Sequence, residues 1–208
     1  MEDVSGALPP THAMRCNLDA YLAQRYRQAG PLATISPEAQ GRFKALLSEL
    51  AKVACSILAT SVVYLFNEHF VVKPPSSAVA FAWHTDAQEQ LAGLVRAGEY
   101  LSLWIALDDI GAHNGGLLVE PWRGEVESSV DDGAERTSYL TCEVSSGDAV
   151  AFGSTVWHSS TPNSSNAPRR VFYCQFSRSP IRGGRSAHPL CFAVPIAIPS
   201  GESKATSI

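Results

Sequence analysis

The hydrophobic period of this chain changes once, near residue 60, and that change limits the folds open to it. Before it, apolar residues recur at three- and four-residue intervals. Asn17 precedes Leu18, Tyr21, Leu22 and Tyr26, and Gly30-Pro31 closes the run, which predicts a helix over 18–29. Ser36, Pro37 and Glu38 supply an N-cap, a first helical position and an acidic first turn. Phe43, Leu46, Leu47, Leu50, Val53, Ala54 and Ile57 follow as one predicted apolar face. Beyond residue 60 the period is two. Stretches rich in Val, Phe, Tyr and Trp predict strands near 61–66, 69–73, 78–84, 100–107, 117–120, 137–143, 148–152, 155–158 and 169–177. Pro74-Pro75, Asn114-Gly115-Gly116, Gly147-Asp148 and Gly153 divide them. Two helices followed by a long series of strands predict a mainly β domain with flanking helices, a sandwich or barrel covered on one face.

The organisation expected is a single domain over 1–208, and 208 residues suffice for a sizeable core. It divides into a loose arm (1–15), a helical support (16–59), a strand core (60–178) and a tail (179–208). Residues 125–136, acidic and containing Gly133, read either as a solvated loop or as a lid. A formal charge of −4 without a basic stripe argues against a nucleic-acid partner. The apolar run around 53–66 is interrupted by Cys55, Ser56, Thr60 and Ser61, which argues against a membrane span. The acidic start "MEDVSGALPP" lacks the pattern of a secretory signal, so a cytoplasmic location is the expectation. Five widely spaced cysteines with no C-x-x-C pair argue against a disulfide framework or a structural zinc site.

In a strand, residues two apart share a face. His84 and Asp86, in "FAWHTDAQ" (81–88), therefore project together if the strand continues that far. An imidazole and a carboxylate suit Fe(II), Mn(II) or Zn(II) better than Ca²⁺. Alone, H-x-D is a weak signal. A second half lies downstream, where His158 ends an apolar stretch and Arg169 follows eleven residues later at the start of another strand. Two histidines and one carboxylate would leave three positions of an iron open. An arginine entering the same cavity could grip a carboxylate with two parallel bonds.

These motifs, in order, are "VVKPP" (71–75), "WHTD" (83–86), "LSLWIALDD" (101–109), "HNGGLLVEP" (113–121), "GDAVAF" (147–152), "WHSSTPNSS" (157–165) and then Arg169. Over roughly 60–178 the chain resembles the phytanoyl-CoA dioxygenase-like branch of the Fe(II)/2-oxoglutarate oxygenases. The resemblance implies a double-stranded β-helix, a cupin-like jelly roll with iron in its mouth. It implies His84, Asp86 and His158 as iron ligands, Arg169 as the anchor of 2-oxoglutarate, and O₂ as the oxidant. It further implies oxidation of an unactivated C–H bond in a small organic molecule, with succinate and CO₂ as co-products. Hydroxylation in natural-product biosynthesis is the expected outcome; desaturation, ring closure and epimerisation are the alternatives. Related halogenases lack the carboxylate, so Asp86 argues against halogenation.

Alternation extends the reading. If Arg169 points inward, so do Val171, Tyr173 and Gln175, and Arg170 points away. Leu101, Leu103, Ile105 and Leu107 are expected on a core face, with Ser102, Trp104 and Ala106 toward the cavity. Ser102 or Ser160 would then hydrogen-bond a carboxylate, and Trp104 would wall the co-substrate. Lys73 is a further candidate for a co-substrate or substrate contact, against the plain reading of an edge lysine with a buried stem. The rim segment "EPWRGE" (120–125) departs from the family, and no role carries over to Trp122 or Arg123. His12 and His188 read as exposed, His113 as a turn residue and His69 as a satisfied strand histidine. Two readings from other classes are a zinc hydrolase on the same triad, which gives Arg169 no purpose, and a non-catalytic jelly-roll binding module.

Overall fold

The computed structural model of the chain describes residues 17–28, 36–87, 100–121, 138–181 and 194–198. The predicted caps form. Asn17 Oδ1 accepts from the Ala20 N–H at 2.9 Å at the start of α1 (Leu18–Gln28). Ser36 Oγ accepts from the Ala39 N–H at 3.2 Å at the start of α2 (Pro37–Ile57). The buried stripe of α2 is narrower than its apolar face. Leu47, Leu50, Ala51, Ala54 and Cys55 are buried, whereas Leu46, Val53 and Ile57 are 39%, 46% and 52% exposed. The buried residues follow the spacing of a single helical ridge, and the three exposed ones flank it.

Nine strands follow among the described residues: β1 (Val62–Lys73), β2 (Phe81–His84), β3 (Tyr100–Ala106), β4 (Leu117–Val119), β5 (Leu140–Cys142), β6 (Ala149–Gly153), β7 (His158–Ser160), β8 (Arg169–Ser177) and β9 (Val194–Ala197). They form a five-stranded sheet in the order β6-β3-β8-β1-β9 and a four-stranded sheet in the order β2-β7-β4-β5.

Several strands differ from expectation for physical reasons. The two predicted strands 61–66 and 69–73 are one. The polar pair between them is satisfied inside the strand: Tyr21 Oη donates to Glu68 Oε1 at 3.0 Å and Asn67 Nδ2 to Gln175 Oε1 at 2.9 Å. His158 opens β7 rather than closing a strand over 155–158. A turn intervenes, in which the Val156 N–H donates to the Gly153 carbonyl at 3.0 Å. Leu107 lies just beyond the end of β3 and is 37% exposed, so it is not part of the core face. Finally, the tail contributes β9, antiparallel to β1 with Leu65 opposite Val194. Pro195 is tolerated there because β9 is an edge strand.

Two compact units divide the chain. The first comprises residues 1–68, 93–101 and 174–208. In it α1 packs on α2 and β9, and Phe66 meets Tyr100 edge to face at 5.0 Å. The second comprises 69–92 and 102–173 and holds the whole four-stranded sheet. Its core cluster is Trp104, Ala106, Ile110, Leu117, Phe152, Val171 and Tyr173. Fully buried Asn163 fastens this unit: its Nδ2 reaches the carbonyls of Lys73, Pro74 and Ala167 at 3.1, 2.9 and 2.8 Å. The predicted arm (1–15) and the loop 125–136 lie outside the described residues. Among the described residues Cys55, Cys142 and Cys174 are free thiols, and no helix is long and apolar enough to cross a membrane.

Candidate metal centre

Strand pairing brings the two histidines together. β2 and β7 are antiparallel, and His84 stands directly opposite His158. Their ring centroids are 4.2 Å apart. Asp86, two residues beyond His84, completes a group whose donor atoms all lie within 4.8 Å of one another. Both imidazoles are oriented by their own strands. Nδ1 of His84 lies 2.7 Å from the Ala82 carbonyl, and Nδ1 of His158 lies 3.0 Å from the Val156 carbonyl. A carbonyl only accepts, so Nδ1 carries the proton in each ring, and Nε2 is the nitrogen left to bind a metal. His158 Nε2 is 3.7 Å from Asp86 Oδ1. Two imidazoles and a carboxylate on one side of a cavity fit Fe(II), Mn(II) or Zn(II).

The cavity they border has a volume of about 140 Å³. Its wall also includes His69, Phe81, Trp104, Ser160, Arg169 and Tyr173. Arg169 is only 1% exposed, yet among the described residues its Nε and Nη1 have no hydrogen-bond partner, and neither has the buried Ser160 hydroxyl. Burial pushes the guanidinium down to about 10. A buried cation and an idle hydroxyl facing one cavity are matched by a carboxylate-bearing ligand. The Trp104 ring lies 5.6 Å from Arg169 Cζ and covers the guanidinium. Arg170 faces away, as alternation requires. Its Nε donates to Asp108 Oδ2 at 3.0 Å and its Nη2 to Asp108 Oδ1 at 2.5 Å.

Lys73 is buried beside this end of the cavity, its ammonium donating to the carbonyls of Thr161 and Ser160. Desolvation, and then the charge of Arg169, pulls its pKa down to about 8. The Asn-Gly-Gly turn explains itself here. Gly115 has φ +94°, and a Cβ on it would come within 2.9 Å of Lys73 Cδ and 3.2 Å of Arg169 Nε. Ser102 takes a different place from Ser160: its hydroxyl donates to Asp86 Oδ2.

Thus the structure gathers His84, Asp86, His158, Trp104, Ser160 and Arg169 around one cavity, with Lys73 and Ser102 immediately behind it. His69 and Tyr173 also line the cavity, their rings 5.0 Å apart; alternation puts Tyr173 on the inward face, whereas His69 reads from the sequence as a satisfied strand histidine. For Tyr173 the signal was present, since it shares the face of Arg169 on β8. His69 shares a face of β1 with Lys73, a weaker hint.

A family model described as phytanoyl-CoA dioxygenase (PhyH) matches residues 19–171. The chain belongs to the phytanoyl-CoA dioxygenase family. No curated protein matches it closely enough to count as a relative. Among solved structures it is similar to EvdO2 from Micromonospora carbonacea var. aurantiaca complexed with 2-oxoglutarate, at 23% identity and a TM-score of 0.55, over 78% of this chain and 67% of that one. In another EvdO2 structure, at 24% identity, the chain spans 62% of the neighbour's length. It is also similar to the non-heme alpha-ketoglutarate-dependent carbocyclase SnoK of nogalamycin biosynthesis, at 18% identity and a TM-score of 0.57, over 69% of this chain and 61% of that one. These PhyH neighbours share the mostly antiparallel architecture, so the expected double-stranded β-helix, the cupin-like jelly roll, is the fold of this chain.

Proposed function

We propose that this PhyH-family chain is an Fe(II)/2-oxoglutarate-dependent dioxygenase that oxidises a C–H bond of a small organic molecule in natural-product biosynthesis. The observation that carries the reading is a His84–Asp86–His158 donor set and a buried Arg169 guanidinium, whose Nε and Nη1 have no hydrogen-bond partner among the described residues, lining one small cavity. A zinc hydrolase would use the first and leave the second without purpose.

In this reading His84, Asp86 and His158 hold the iron. Arg169 binds the far carboxylate of 2-oxoglutarate, with Ser160 and Lys73 adding donors and Trp104 closing one side. Bound Fe(II) would supply the chemistry that couples decarboxylation of the 2-oxo acid to O₂ reduction and substrate oxidation. The residues of the chain orient the reactants and exclude water. A cavity of about 140 Å³ is smaller than the roughly 300–1,000 Å³ of a site for a drug-sized ligand. A small organic molecule is the partner, reaching the metal centre from outside this cavity. A cytoplasmic location belongs to the same proposal.

Hydroxylation is the first outcome. Ring closure and epimerisation form the second reading, favoured by the neighbours SnoK and SnoN, described as a carbocyclase and an epimerase of nogalamycin biosynthesis. The reading is tested by following 2-oxoglutarate in air without added substrate. Slow conversion to succinate that requires Fe(II) and stops on chelation is expected. Absence of conversion from an iron-loaded, folded protein, with Zn(II)-dependent hydrolysis instead, would overturn it.

A further inference from the structure

Asp86 is 4% exposed, and one of its two oxygens is already engaged twice. Tyr173 Oη and Ser102 Oγ each lie 2.5 Å from Asp86 Oδ2. Oδ1 is the oxygen that faces His158 Nε2. The two hydroxyls arrive from neighbouring strands of the five-stranded sheet, β8 and β3, whereas Asp86 follows β2 of the other sheet. Fully buried Ser102 has little room to move. The Tyr173 ring is held between His69, at 5.0 Å, and Phe152, at 6.4 Å. Phe152 in turn meets His158 at 4.7 Å, so one set of packed rings orients both a histidine of the donor set and the phenol that holds its carboxylate.

We propose that Tyr173 and Ser102 are positioning residues that clamp Asp86 Oδ2 and so direct Oδ1 toward the metal. The inference rests on the metal-centre reading above. Two charge-assisted donors on one oxygen stop the carboxylate from rotating about its terminal bond, and so fix the direction in which Oδ1 points, toward His158 Nε2. Without them the carboxylate has alternative rotamers, and the order lost must be restored each time an ion binds. Hydrogen-bond partners of this kind change metal affinity by about 10- to 100-fold when removed. Arg169 lies elsewhere on the wall, so the affinity for 2-oxoglutarate at saturating metal should stay close to that of the parent.

Tyr173→Phe keeps the ring and removes only the hydroxyl, and Ser102→Ala removes only the second donor. Mn(II) is the probe. Free aqueous Mn(II) is read by electron paramagnetic resonance during titration of the metal-free protein, and the spectrum of bound Mn(II) reports the symmetry of its site. Each single variant is expected to raise the Mn(II) dissociation constant about 10-fold, and the double variant toward 100-fold, with an altered bound spectrum. Arg170→Ala, exposed and turned away, should match the parent. Circular dichroism confirms folding; if the double variant does not fold, Tyr173→Phe alone decides. Parent-like affinity and spectrum in folded variants would overturn the clamp while leaving the metal centre intact. A parent protein that binds no Mn(II) would overturn both.

Discussion

Replacing Arg169 by alanine raises the 2-oxoglutarate concentration needed for half-maximal succinate formation by about 30- to several-thousand-fold, equivalent to about 2–5 kcal/mol. The size follows from burial. The guanidinium is almost wholly out of water, and two of its nitrogens have no partner among the described residues, so a ligand carboxylate meets an already desolvated fork. Lysine at 169 is a poor substitute, because a point charge cannot reproduce the planar two-pronged contact. Arg170→Ala is the internal control. Its partner is Asp108 on the outer side, and its loss changes the same constant by less than about tenfold. A larger loss at Arg170 than at Arg169 would mean that the register of β8 does not set the co-substrate site.

The second large effect falls on the donor set. His84→Ala or His158→Ala leaves two ligands, and two ligands hold a labile divalent ion weakly. Turnover is abolished, and iron is lost from the protein on gel filtration under nitrogen. The paired register explains why either loss suffices: each ring's Nδ1 is fixed by a carbonyl of its own strand, so neither histidine can swing to cover for the other. Iron retained at parent stoichiometry, with turnover intact, in either variant would rule out the assignment.

Much of this was legible in the sequence. The change of hydrophobic period predicted helices before strands, and the spacing of His84, Asp86, His158 and Arg169 placed four residues that the fold brings to one cavity. Period-two alternation also separated Arg169 from Arg170. What was not legible depends on distant partners. The predicted break in β1 fell at Asn67 and Glu68, whose polarity is answered by Gln175 and Tyr21, far away in sequence. The strand β9 carries a proline and gains its place only by pairing with the edge of β1. Leu46, Val53 and Ile57 matched the helical pattern but lie beside the buried ridge. The roles of Tyr173 and His69 depend on which side chains cross the cavity, and alternation along one strand gives only the side each faces.

In the proposed function iron and 2-oxoglutarate meet at this site. The measurement that tests it most directly is the visible spectrum of the metal-free protein titrated without air, first with Fe(II) and then with 2-oxoglutarate. A 2-oxo acid chelating Fe(II) should give a weak visible charge-transfer band, saturable in 2-oxoglutarate, absent from buffer, and lost in His158→Ala. A parent protein that binds Fe(II) and 2-oxoglutarate to saturation and gives no band would contradict the proposed function.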